Sequence, residues 1–143
     1  MKRRQTVMRS VAGARHAWDN HVKNVALAAG IPDSYRPVIR YLHRHPGSSQ
    51  RNIAEFVGVT TSAINQVVKL MLEEDYLRKE TDISDKRSTR LYLTEKSIAV
   101  AEYLHQRLDA SDDAITALIG EETEAELIRY LDLLADFIRK ELN

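Results

Sequence analysis

Ser62, Asn65, Gln66 and Lys69 follow one another at steps of three, one and three. On a helix turning about 100° per residue they share one face. Asn and Gln can bond bidentately to adenine N6 and N7, and Ser can reach a base or a phosphate. No acid interrupts this face before Glu73. A merely solvated face is richer in Glu and Lys, as Glu73-Glu74-Asp75 just beyond it is. The helix start at Thr60-Thr61-Ser62 offers hydroxyls and first-turn N–H groups, which suit either a phosphate or simple capping. Ser49, at the start of the preceding helical pattern, joins this set. Further on, Asp82 to Arg90 is too polar to be core. Lys86, Arg87 and Arg90 can reach a minor groove or its phosphates, and narrow minor grooves attract Arg. Asp85 is placed to hold one of these arginines, and the competing reading is a plain solvated turn.

These residues need elements to hold them. Val7, Val11, Ala14, Trp18, Val22 and Val25 form a helical stripe over residues 4–28, weakened at Gly13. A second helix over 33–44 turns Tyr35, Val38, Ile39 and Leu42 inward, with Pro37 in its first turn. His45-Pro46-Gly47 ends it. Ser48 or Ser49 caps a third helix reaching Phe56, which buries Ile53, Ala54 and either Phe56 or Val57. Gly58 gives the turn, and Thr60 or Thr61 caps a fourth helix to about Asp75. Its buried face is Ile64, Val67, Val68 and Met71. Leu77–Thr81 and Arg90–Leu93 alternate as two strands of a hairpin. Thr94 caps a long helix to Leu118, which Gly120 ends. Thr123-Glu124-Ala125-Glu126 reads as a capping box for a last helix with the heptad-like stripe Leu127, Leu131, Leu134, Ile138 and Leu142.

The pattern is that of a winged helix–turn–helix, a layout that points to double-stranded DNA. The fold class expected is mainly α: about six helices, a small β-hairpin wing, and helical regions at both ends.

With 143 residues, one domain with a substantial core is expected. Cysteine is absent, which excludes disulfides, thiol catalysis and Cys-ligated zinc. No apolar run is long enough for a membrane span, and no apolar stretch follows the basic Met1–Arg4 as a secretory signal would require. A cytoplasmic location fits. Net charge is zero, but its distribution is uneven. Residues 1–47 carry 9 Lys/Arg and 2 Asp/Glu, residues 48–96 carry 8 of each, and residues 97–143 carry 4 and 11. The ends are thus complementary and suited to meet within or between chains; two solvated charged faces explain the same numbers.

Leu70-Met71-Leu72-Glu73-Glu74-Asp75-Tyr76-Leu77, followed by Asp85-Lys86-Arg87 and Leu93-Thr94-Glu95-Lys96, resembles the MarR (multiple antibiotic resistance regulator) family. Ser97 stands where that family usually has Gly. The resemblance runs from about Ile31 to the end and is strongest over Ser49–Lys96. It implies a DNA-binding region at 31–96, helical dimerisation regions at 1–30 and 97–143, and a single unit over 1–143. It implies a homodimer held by the first, fifth and sixth helices, with recognition helices in successive major grooves of a pseudo-palindrome. Arg87 would be the wing arginine and Asp85 its support. A small aromatic or phenolic effector would relieve repression, although some members activate.

Trp18, His21, Tyr35, Arg36 and Tyr41 could line such an effector pocket, since an Arg beside aromatics suits a carboxylate. The alternative is core aromatics with a surface Arg. His43 and His45 are close enough to suggest a metal, but paired His at a helix end are more often surface groups, so no metal or cofactor is expected. No P-loop, Gly-x-Ser-x-Gly or His-Glu-x-x-His occurs, so an enzyme is not expected. The competing class is a winged-helix protein–protein module without DNA binding.

Overall fold

The computed structural model describes residues 4–81, 83–85 and 88–142, in two compact units, 1–105 and 106–143. Lys86 and Arg87, both expected to touch DNA, lie outside the described residues. The order is α1 (Val7–Ala28), a 3-10 turn (Asp33–Tyr35), α2 (Arg36–Arg44), α3 (Gln50–Val57), α4 (Thr61–Glu73), β1 (Leu77–Thr81), β2 (Thr89–Leu93), α5 (Glu95–Ile119) and α6 (Glu121–Glu141). This is a mainly α fold with a winged helix–turn–helix, as the sequence pattern predicts.

The core of the first unit is built by short amphipathic segments, none of which could bury its apolar face alone. α3 packs on α2 and α4, α2 on β2, and α4 on β1. Val38, Ile39, Leu42, Ile53, Ile64, Val68, Met71 and Leu91 are all buried. Of the two alternatives for the last inward position of α3, Phe56 is not the one used. It is exposed, its ring 4.8 Å from Tyr41, and the half-buried Val57 takes the inward position.

β1 and β2 pair antiparallel, with Leu77 opposite Leu93 and Arg78 opposite Tyr92. A third short piece of backbone extends this sheet. Gly47 donates its N–H to Leu91 O at 2.9 Å, and Leu91 returns an N–H to Ser48 O at 3.0 Å. The wing is therefore bonded to the α2–α3 connection.

α1 buries only Val22, Val25 and Ala26. The N-terminal part of its stripe is exposed at Val7 and Ala14 and half-buried at Val11 and Trp18. In the second unit, α6 starts directly after Gly120 rather than at Thr123. Thr123 is the third helical residue, so the expected capping box does not form. Glu121, Glu122 and Glu124 put three negative charges into the first turn, where the helix dipole favours them. Glu124 instead accepts a hydrogen bond from Thr116 Oγ1 at 2.8 Å. α6 buries none of its described residues, and its Leu127, Ile128, Leu133 and Phe137 are about half exposed.

Candidate nucleic-acid interface

The helix–turn–helix is shaped by its caps. Ser49 Oγ accepts the N–H of Asn52 at 3.2 Å and starts α3. Gly58, at φ 75°, closes α3 in a left-handed turn that a side chain would strain. Thr60 Oγ1 accepts the N–H of Ala63 at 3.2 Å and starts α4. The Ser49 and Thr60 hydroxyls are thus engaged in capping, one of the two roles open to them. Thr61 and Ser62 are the first two helical residues of α4 and both are exposed.

α4 spans 13 residues, roughly 20 Å, a length suited to a major groove. Ile64, Val68 and Met71 anchor one side in the core. Ser62, Asn65, Gln66 and Lys69 are exposed together on the other, as their spacing requires. Lys69 Nζ lies 3.9 Å from Glu73 Oε1. Both side chains are more than half exposed, so the pair contributes about 0–1 kcal/mol and yields readily to a phosphate.

In the wing, Arg90 is exposed and sits opposite Glu80 in the register. The Asp85 carbonyl accepts the Ser88 N–H at 2.9 Å, which turns the tip. Its postulated partner Arg87 is outside the described residues.

The C-terminus of α4 is tied to the start of α5. Asp75 adopts φ 62°, a left-handed conformation that Asp tolerates better than most side chains. Tyr76 N then bonds Met71 O at 2.7 Å, a Schellman-type close. Thr94 Oγ1 donates to Asp75 O at 2.7 Å, and Lys96 Nζ donates to Glu74 O at 3.0 Å. Lys96 Nζ also stands 3.9 Å from the centroid of the Tyr76 ring, a cation–π contact. Ser97 is completely buried, and its hydroxyl donates to Tyr76 O. Serine here gains a bond that glycine could not make. Tyr35 packs edge-on against Tyr76 at 5.4 Å. Burial, then hydrogen bonding to the Glu74 carboxylate, pushes its hydroxyl up to about 12.

The five residues expected to form an effector pocket do not share one cluster of contacts. Trp18 and His21 face each other on α1 at 5.6 Å. Tyr35 is in the core against Tyr76, and Arg36 is paired with Asp33 at 3.3 Å. Tyr41 stacks between His45 and Phe56, at 4.8 Å from each. A cavity of about 300 Å³ lies elsewhere in the first unit, lined by Leu42, His43, Pro46, Arg78, Tyr92, Leu93 and Ile98. His43 and His45 therefore have separate surroundings. No cluster of three or more potential metal ligands occurs among the described residues. No helix among them is long and apolar enough to cross a membrane.

The exposed Arg40 and Arg44 of α2, and Lys96 at the close of α4, were not singled out by reasoning from spacing. For the arginines a signal existed: from Ser34 to Ala54 there are four Arg and no acid. Lys96 carried no such signal, because its partners are backbone and ring atoms more than 19 residues away.

Residues 29–88 match the family model described as "MarR family". The HTH-type transcriptional regulator PetP of Rhodobacter capsulatus is 22% identical over 103 residues, a match spanning 72% of this chain and 62% of that protein's length. A crystal structure of MepR, a transcription regulator of the Staphylococcus aureus multidrug efflux pump MepA, is similar with TM-score 0.81 at 15% identity. That similarity covers 94% of this chain and 99% of the other. The transcriptional repressor CouR, bound to a 23-mer DNA duplex, is similar with TM-score 0.74 at 20% identity, over 91% of this chain and 92% of CouR. The fold and the capped helix pair define a winged helix–turn–helix protein. Over residues 29–88, which hold α2 to β1, the chain is similar to the MarR family.

Proposed function

We propose that the protein is a homodimeric, sequence-specific DNA-binding transcription regulator, acting in the cytoplasm as a ligand-responsive repressor on a pseudo-palindromic operator. The observation that carries this reading is the exposed face Ser62, Asn65, Gln66 and Lys69, rooted in the core through Ile64, Val68 and Met71. Direct base readout needs such a face: short donors and acceptors on a rigid helix. A relative of similar fold, CouR, is bound to duplex DNA.

Dimerisation is supported by apolar surface that one chain leaves uncovered. Val7 and Met8 on α1 are at least half exposed, and α6 carries large apolar residues on which no residue of its own unit closes. A second copy of the chain is the occupant that accounts for both. For the effector, the cavity between the end of α2, the wing strands and the start of α5 is the better candidate. It has apolar walls, one aromatic and one arginine. A small aromatic or phenolic acid has that chemistry, and it would touch both the wing and the helices carrying it.

The test is selection of bound duplexes from a random pool by the purified full chain, then binding measured against salt. A palindromic consensus is expected, with half-sites about one helical turn apart and a steep fall of affinity with salt. Light scattering should give the mass of a dimer. Failure to enrich any duplex, with no affinity at low salt, would favour the protein–protein module instead.

A further inference from the structure

The residues assigned so far leave the affinity for DNA underexplained. Among the described residues so assigned, Lys69 is shared with Glu73 and Arg90 lies opposite Glu80, and the chain as a whole is neutral. A further run of positive charge lies away from α4. Residues 34–54 carry Arg36, Arg40, Arg44 and Arg51 with no acid, so the remaining residues carry an excess of four acids. Arg36 is paired with Asp33, and Arg51 with Glu55 at 3.1 Å on an open surface. Arg40 and Arg44, one helical turn apart on α2, are exposed and make no ion pair among the described residues. Like charges at this spacing repel one another, which offsets part of what the ring contact of Arg40 and the helix C-terminus at Arg44 contribute.

Their setting is well defined. Arg40 lies over the Phe56 ring of α3, 5.8 Å from its centroid, beside the Tyr41–Phe56 stack. Arg44 is the last residue of α2. The chain then turns through His45–Ser48, where Ser48 Oγ donates to His45 O at 2.7 Å, and enters α3 at Gln50. In helix–turn–helix proteins this leading helix crosses the sugar–phosphate backbone while the second reads the groove. Arg40 touches that leading helix at Phe56, Arg44 ends the helix before it, and Arg51 stands in its first turn.

We infer that the outer face of α2, Arg40 and Arg44 together with Arg51, is a second phosphate-binding surface that holds duplex DNA flanking the half-site read by α4. The inference rests on the DNA-binding reading proposed above. It gives affinity to α2 and selectivity to α4, so the two should separate experimentally. Lysine should replace arginine here with little loss, because phosphate neutralisation needs charge rather than a fixed fork of donors.

The test uses the full-length protein and two duplexes: the selected site trimmed to its half-sites, and the same site extended by about one helical turn at each end. Wild type, R40Q/R44Q, R40K/R44K and N65A/Q66A are compared by fluorescence anisotropy across a salt series. R40Q/R44Q is expected to lower the slope of log K against log salt on the long duplex by about 0.9 for each arginine lost. It should weaken specific and scrambled duplexes alike and change little on the trimmed one. R40K/R44K should restore the slope, while N65A/Q66A should keep it and lose discrimination. A wild-type slope for R40Q/R44Q on the long duplex would overturn the inference while leaving DNA binding intact. A flat salt response of the wild type on every duplex would instead remove the DNA-binding reading, and this one with it.

Discussion

Replacing Gly47 by Ala should be among the costliest single-methyl additions in this protein, and the structure gives its size. Gly47 sits at φ 80°, where an L side chain costs about 1–2 kcal/mol. The added Cβ would lie 2.9 Å from Tyr92 Oη, 3.2 Å from Cζ and 3.3 Å from Cε1. The ring has to move, and it is not idle: the Arg78 guanidinium lies over it at 4.4 Å, a contact contributing about 0.5–1 kcal/mol at an exposed site. The total is about 2–3 kcal/mol, or roughly 8 °C of melting temperature for a chain of this length. Gly13→Ala is the control. It lies within α1 with nothing within 4 Å of an added Cβ, so it should stabilise by about 0.5–1 kcal/mol. Circular dichroism melts of both variants at matched protein concentration give the answer. Gly47→Ala melting within about 1 °C of wild type, or both variants moving in one direction, would refute the reasoning. Repeating Gly47→Ala in a Tyr92→Phe background separates its parts. The cost should shrink, because the nearest obstructing atom is gone, and an unchanged cost would make it all backbone.

Two further substitutions follow from the close of α4. Lys96→Met removes the bond to Glu74 O and the cation over Tyr76, about 1–2 kcal/mol in all, so melting should fall by several degrees while the salt slope of DNA binding stays put. A drop in slope would mean that Lys96 meets phosphate instead. Tyr35→Phe reports on pH. The folded chain holds this hydroxyl protonated up to about 12 against an ordinary 10, so its stabilising contribution is complete below pH 10 and lost as pH rises from 10 to 12. Wild type should therefore lose about 2–3 kcal/mol more than Tyr35→Phe across that window in urea titrations, and parallel pH profiles would contradict the assignment.

The helices were legible in the sequence because their apolar residues recur at helical spacing and their ends carry Ser49, Gly58 and Thr60, residues with local reasons to cap or turn. The exposed polar face of α4 was legible for the same reason, since spacing alone puts Ser62, Asn65, Gln66 and Lys69 on one side. What escaped depends on distant neighbours. Spacing left open whether Phe56 or Val57 turns inward, and the choice falls on Val57 while the exposed Phe56 stacks on the Tyr41 ring. The capping box at Thr123 was misread because Gly120 and an acidic first turn start α6 earlier. The five pocket candidates share aromatic and cationic character, but they fall into separate sets of neighbours: Trp18 with His21, Tyr35 with Tyr76, Arg36 with Asp33, and Tyr41 with His45 and Phe56. The strand-like bonds of Gly47 and Ser48 to Leu91 carry no alternation at all, only a Pro-Gly turn.

Those bonds, together with the close of α4, constrain how the unit could respond to a ligand. Leu91 in the wing is bonded to the α2–α3 connection, and Asp75 and Tyr76 at the wing root are bonded to Thr94 and Ser97 at the start of α5. The wing root is thus fastened on two sides, and α4 shares one of the fastenings through Glu74. A tilt of the first turns of α5 would strain hydrogen bonds to three consecutive carbonyls, those of Glu74, Asp75 and Tyr76, before it reached the exposed polar face of α4. Bonds this short-ranged move their partners along rather than absorb the displacement. The cavity lined by Ile98 and Tyr92 opens between the two fastenings. A molecule filling it would therefore act on wing and recognition helix together, and a ligand that changed the affinity of one while leaving the other in place would be hard to reconcile with this connectivity.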